Sequence, residues 1–155
     1  MVAIRVRGAS GVPYKTDRTL RQLRLTKKNW ATILYNRPEL AGMLINAKDY
    51  ITWGEATPEA LGLLLENRGR TTGNRRLTES FVKKELKLPS LAKLADSISR
   101  TDVKLHDLWK KGLKPIFRLH PPKGGYRGSI KRPFKDGGEL GYRGKAIDEV
   151  ISKMA

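Results

Sequence analysis

The stretch Leu40-Ala41-Gly42-Met43-Leu44-Ile45-Asn46-Ala47-Lys48-Asp49-Tyr50-Ile51-Thr52-Trp53-Gly54 changes its hydrophobic period half-way along. Leu40, Met43, Leu44 and Ala47 fall at i, i+3, i+4 and i+7, one apolar face of a helix, and Pro38 stands in its first turn, where a missing N–H leaves no bond unmade. Tyr50 to Trp53 is aromatic and β-branched, so a strand follows and Gly54 stops it. Upstream, Trp30 to Tyr35 reads as another strand. Val2, Ile4 and Val6 alternate with Ala3, Arg5 and Arg7, the period of a first strand that leads into a turn at Gly8, Gly11 and Pro13. The helix between these two strands is predicted with Thr16 as its cap, Leu20 and Leu23 inward, and Arg18, Arg21 and Arg24 on a separate, exposed arc. Residues 1–55 therefore read βαβαβ.

Working outward toward the C-terminus, Thr57-Pro58 opens a helix with Leu61, Leu64 and Leu65 inward and Gly69 past its end. Residues 68–76 have no apolar side chain and form a basic loop. Thr78 and Ser90 cap two short helices, and Leu105, Leu108 and Trp109 line a third that stops before Gly112. Ile116 to Leu119 return to strand character, and Ile147, Val150, Ile151 and Met154 make a last amphipathic helix. The fold class is α+β: a small β-sheet with helices on one face, followed by a helical and Gly-rich basic C-terminal extension. The expected divisions are a core at 1–55, a helical extension at 56–113, and a strand, Gly-rich basic loop and helix at 114–155, packed as one domain.

The formal net charge is +17 on 155 residues, and it is segregated. Residues 1–28 carry eight Lys or Arg against Asp17, and residues 118–145 carry eight against Asp136 and Glu139. Residues 29–66 carry two cations against Glu39, Asp49, Glu55, Glu59 and Glu66, which are expected to face solvent or a protein neighbour. A surface merely built for solubility intersperses the two signs. Segregated positive charge points to a polyanion whose phosphates release counterions on binding. There are no cysteines, which excludes disulfides and thiolate zinc sites. The first residues hold no apolar leader, and the longest apolar stretch, Ala60 to Leu65, is far below the roughly 20 residues of a membrane helix. A cytosolic protein without membrane contact is expected.

Catalysis finds no constellation: two histidines, no nucleophile motif, no phosphate-cradling loop and no acidic set with metal-ligand spacing. Neither metal nor cofactor is expected. The predicted RNA contacts follow the three tracts. The first supplies Arg7, Lys15, Arg18, Arg21, Arg24, Lys27 and Lys28, a phosphate track without base-reading side chains. The second supplies Arg68, Arg70, Asn74, Arg75 and Arg76 around a polar tip, read as an RNA-probing loop with a plain mobile loop as the alternative. The third supplies Arg118, His120, Lys123, Tyr126, Arg127, Lys131, Arg132, Lys135, Tyr142, Arg143 and Lys145. Its glycines let backbone approach a phosphodiester, and Tyr126 and Tyr142 are placed to stack on bases or sugars. Residues 120–145 are expected to order on binding. His120 reads equally as a phosphate or 2′-hydroxyl contact and as a turn-stabilising side chain, and Phe134 as local packing.

Several strings, in this order and spacing, resemble one family: Ile4-Arg-Val-Arg-Gly8, Gly42-Met43-Leu44-Ile45-Asn46, Tyr50-Ile-Thr-Trp-Gly54, Arg68-Gly69-Arg70, Arg118-Leu-His-Pro-Pro-Lys-Gly-Gly125 and Phe134-Lys-Asp-Gly-Gly138. Together they are similar to the large-subunit ribosomal protein L-thirty family, archaeal type, itself similar to eukaryotic L-seven. Residues 1–55 resemble the short bacterial member. The resemblance implies a non-catalytic structural protein of the ribosome, bound to large-subunit ribosomal RNA near the 5S RNA docking region and beside other ribosomal proteins. From the residues alone, the rival is a DNA-associated or chromatin-like basic protein. It lacks a recognition helix with Asn, Gln and Arg poised for base edges.

Overall fold

The computed structural model describes residues 1–155. Six strands, β1 (Val2–Arg5), β2 (Trp30–Ile33), β3 (Ile51–Gly54), β4 (Phe117–Arg118), β5 (Ser129–Pro133) and β6 (Gly138–Tyr142), make one sheet in the order β4-β2-β1-β3-β6-β5. β1 is antiparallel to both β2 and β3, and β4 is antiparallel to β2. β6 joins β3 in parallel, and β5 lies parallel along its outer side with a register shift.

The central place of β1 explains its composition. All four of its residues are buried, Val2 and Ile4 on one face of the sheet and Ala3 on the other. On Ala3's side, α1 (Tyr14–Gln22) and α2 (Pro38–Asn46) supply Leu20, Leu23 and Leu44 to a cluster of 7 buried residues. These are the helices that the βαβαβ reading places on one face. The opposite face is covered by the extension: α3 (Pro58–Arg68), α5 (Leu91–Ser99), α6 (Leu105–Lys110) and α7 (Ile147–Met154) contribute to a cluster of 23 buried residues running from Val2 to Met154. Between α3 and α5, α4 (Glu79–Phe81) runs into a π-helical turn at Val82–Leu86. Each buried Leu or Ile side chain contributes about 1.5–3 kcal/mol, so the extension and the core stabilise one another through shared apolar contacts.

Local rules place most helix ends. Thr57, Thr78 and Ser90 accept hydrogen bonds from Ala60, Phe81 and Lys93 N–H as side-chain caps. Thr16 does not cap α1: the helix starts at Tyr14 after Pro13, and Thr16 is buried in its first turn. α1 stops without glycine. Leu25 N–H bonds Leu20 O and Arg24 N–H bonds Arg21 O, a Schellman closure in which Arg24 takes the left-handed conformation at φ 61°. β2 ends at Ile33, two residues short of the expected Tyr35.

The expectation of a binding-ordered loop over 120–145 is corrected. β5 and β6 lie inside that segment and continue the sheet, with Leu140 buried and Glu139 tucked beneath. The glycine density hid them because these glycines serve close packing: a Cβ on Gly138 would run into the Arg132 carbonyl. Gly54 likewise does more than end a strand, since a Cβ there would meet the Gly144 carbonyl.

Candidate nucleic-acid interface

The candidate interface gathers at one end of the sheet. Because β1 is antiparallel to its neighbours, the exit of β1 lies beside the entries of β2 and β3, and the Trp30↔Arg118 register sets the exit of β4 there too. This end carries Arg7 after β1, Lys27 and Lys28 before β2, and Arg118 on β4. Lys27, Lys28 and Arg118 are exposed. Trp30 lies between two of them, with Lys27 Nζ 5.9 Å and the Arg118 guanidinium 5.6 Å from its ring centroid. The first and third basic tracts, ninety residues apart in sequence, thus meet on one aromatic ring.

Arg5 holds this end in shape. It is fully buried, and its guanidinium donates to Arg7 O at 2.9 Å, Leu25 O at 2.8 Å, Thr26 O at 2.9 Å and Gly8 O at 3.0 Å. It has no carboxylate partner, and burial lowers its pKa from the ordinary arginine value. Arg5 therefore fastens the two loops that carry Arg7 and Lys27-Lys28 rather than adding to the exposed charge. Arg7 itself donates to Asp49 O at 3.2 Å and lies 5.0 Å from the Tyr50 ring centroid.

On α1, Lys15 and Arg18 are exposed and free of carboxylates, while Arg21 is paired with Asp17 at 2.7 Å. Arg24 is laid over the Trp109 ring of α6, 4.2 Å from its centroid. The second tract is pinned rather than mobile. Arg70 bridges Arg76, Thr71 bridges Leu113, and Lys114 Nζ donates to Asn74 Oδ1 at 3.5 Å. Arg75 and Arg76 are exposed, whereas Arg68 and Arg70 are half-buried. Residues 113–118 run from this loop to β4, an extended path of at most about 17 Å from Thr71's partner Leu113 to Arg118.

The rest of the third tract lies elsewhere. Lys131 and Arg132 are exposed on β5, the opposite margin of the six-stranded sheet from β4. Five interstrand steps put these margins about 24 Å apart. Lys123, Lys135 and Lys145 are exposed, and Arg127 is paired at the surface with Glu149 at 3.1 Å. A hydrogen bond from Lys153 together with Arg127's charge lowers the Glu149 pKa.

Three expected contacts turn inward. Arg143 is buried in an ion pair with Glu139 at 2.6 Å and donates to Thr52 Oγ1 at 2.8 Å, so its charge is used inside. Tyr126 has a buried hydroxyl without a partner, and desolvation, with Glu139's charge, pushes its pKa up to about 12. His120 takes the turn role: its ring nitrogens lie 2.5 Å from Pro121 O and 3.2 Å from Ala155 O. Tyr142 remains exposed and donates to Glu55 Oε2 at 2.8 Å, a bond that raises its pKa. The sequence reading passed over Tyr14, 83% exposed beside Lys15, and Trp30, two residues after Lys28. An aromatic adjoining a basic run is the signal that could have found both. It also missed Lys104, which lines a groove with Arg24, and Lys114, which reaches Asn74.

Residues 1–51 match the family model described as ribosomal protein L30p/L7e. The chain is 51% identical over 157 residues to the large ribosomal subunit protein uL30 of Staphylothermus marinus, covering 97% of this chain and 95% of that one. The chain belongs to the uL30 family. Similar relatives carry the same description in Aeropyrum pernix, at 46% identity over 97% of this chain and 96% of the relative, and in Methanopyrus kandleri, at 43% over 96% and 99%. As a uL30-family member the chain is a structural component of the large ribosomal subunit and not an enzyme. Membership in this family sets aside the DNA-associated alternative.

Proposed function

We propose that the protein binds ribosomal RNA through two basic margins of one rigid domain and so fixes the relative position of separate RNA segments, in the region where the 5S RNA docks. The observation that carries this is the meeting of Lys27 and Arg118 on Trp30, with Lys131 and Arg132 at the far margin of the same sheet. The side chains present suit RNA read by shape. Exposed Lys and Arg reach phosphates, aromatic rings take unstacked bases, and no helix presents base-reading side chains to a groove. The acidic side, with Glu55, Glu59 and Glu66 exposed, is turned to solvent or to a protein neighbour. The 5S location rests on the family resemblance.

The test uses two labelled RNAs, the 5S RNA and a large-subunit rRNA fragment, with the full chain. Wild type is expected to hold both in a ternary complex. Lys28→Ala with Arg118→Ala should lower the salt slope for one RNA by about 0.7–0.9 per lost phosphate contact. Lys131→Ala with Arg132→Ala should weaken the other. If both double variants weaken the same RNA equally, or if no ternary complex forms, bridging is wrong.

A further inference from the structure

β4 covers only Trp30 and Ala31, so the outer side of the following residues is left without a neighbouring strand. Leu34 exchanges hydrogen bonds with Met1, N–H to O at 2.9 Å and amine to Leu34 O at 2.9 Å. By the alternation of an antiparallel ladder, the backbone N–H and C=O of Ile33 and Tyr35 therefore point away from β1. Ile33 and Tyr35 both line a groove of about 340 Å³ between the end of α1, the start of α2 and α6. That volume lies in the roughly 300–1,000 Å³ range of small-ligand clefts. Its floor is apolar, with Ile33, Leu40 and Leu105. Its rim is cationic, with Arg24, Arg37 and Lys104 from three different elements against the single carboxylate of Glu39.

One wall carries a further sign. Arg24 occupies the left-handed position that ends α1, at φ 61°, where glycine is the unstrained residue. The chain places there a long planar cation whose inner face lies on Trp109 and whose outer side is exposed. Asn29, Asn74, Lys87 and Thr101 share this conformation, so the sign is the guanidinium's place on the indole and not the backbone alone. A guanidinium backed by an indole is a stacking surface for a nucleobase. The groove opens beside the exit of β2, about 10 Å along that strand from Trp30 at its entry.

We infer that this groove receives one unpaired, extruded nucleotide of RNA. Its base stacks on Arg24, its edge meets the open Ile33 and Tyr35 backbone groups, and its phosphates meet Arg37 and Lys104. The cationic rim favours this occupant over an acidic peptide strand, because unstacked bases also use the guanidinium plane. The inference rests on the RNA-binding reading and adds a single-strand subsite to it.

The experiment follows backbone and indole NMR resonances of the full chain with two probes, a single-stranded adenosine pentanucleotide and a blunt RNA duplex. Expected are saturable shifts at Ile33, Tyr35 and the Trp109 indole with the pentanucleotide and none there with the duplex. Gln22→Trp, which narrows the mouth from an exposed position, should weaken pentanucleotide binding at least ten-fold while leaving duplex affinity unchanged. Arg24→Gly keeps the backbone conformation, so the melting temperature should not fall while pentanucleotide binding drops about ten-fold. Pentanucleotide shifts confined to Lys27, Lys28 and Arg118 would overturn the subsite and leave the wider reading standing. A glutamate-rich peptide that shifts the groove when the pentanucleotide does not would reassign it to a protein partner. Failure of both RNAs to bind anywhere would overturn the wider reading and the subsite with it.

Discussion

Arg143 Nη2 lies 2.6 Å from Glu139 Oε2 in an ion pair whose side chains are 5% and 9% exposed. The same guanidinium donates to Glu139 O and Thr52 Oγ1, each at 2.8 Å, and Glu139 Oε1 accepts the Gly128 N–H at 2.9 Å. One pair therefore ties β3, β6 and the entry to β5 together.

Glu139→Ala leaves the Arg143 cation buried and unpaired, and should lower stability by about 3–5 kcal/mol. Urea denaturation of the free protein reads this directly. Were Arg143 an RNA contact, Arg143→Ala would instead change the salt slope and leave the urea midpoint in place.

Tyr126→Phe removes a buried hydroxyl that has no partner, so the denaturation midpoint should stay or rise. The pH dependence follows from the raised pKa. The folded state holds the phenol proton more tightly than the unfolded chain, so this contribution is full below pH 10 and is lost as pH climbs from 10 to about 12. Stability measured across that window should fall more steeply for wild type than for Tyr126→Phe; parallel curves would exclude the burial described for this ring.

Thr101 is a β-branched residue in the left-handed conformation, φ 64°, closing α5 by the same Schellman pattern as Arg24 closes α1. Thr101→Gly should therefore stabilise the protein by about 1 kcal/mol. A lowered melting temperature would show that the threonine side chain makes a compensating contact.

Gly54→Ala places a methyl group against the Gly144 backbone, which cannot swing aside as a side chain would. A loss of about 1–3 kcal/mol is expected from overpacking. Gly42→Ala, on open helix surface with nothing near its Cβ, serves as the control and should be neutral or stabilising.

The βαβαβ order was legible because each element keeps its own period, as at Leu40 to Trp53, and because Thr57, Thr78 and Ser90 mark helix starts by local chemistry. What escaped depends on distant partners. β6 holds Gly138 and Gly141 and β5 is polar and ends in Pro133, so only their packing against each other and β3 shows them to be strands. The end of α1 carries no glycine, so nothing local announces Arg24. At the candidate site, composition groups the cations by tract but carries no information about depth. Arg143 and Arg18 look alike in sequence, and only the tertiary fold sets one beside Glu139 and the other in solvent.

The six-stranded order has a mechanical consequence. The interval between Arg118 and Lys131 is spanned by ladders of main-chain hydrogen bonds, so it does not depend on the rotamers of the side chains at either margin. The sheet works as a gauge block for whatever its two margins hold.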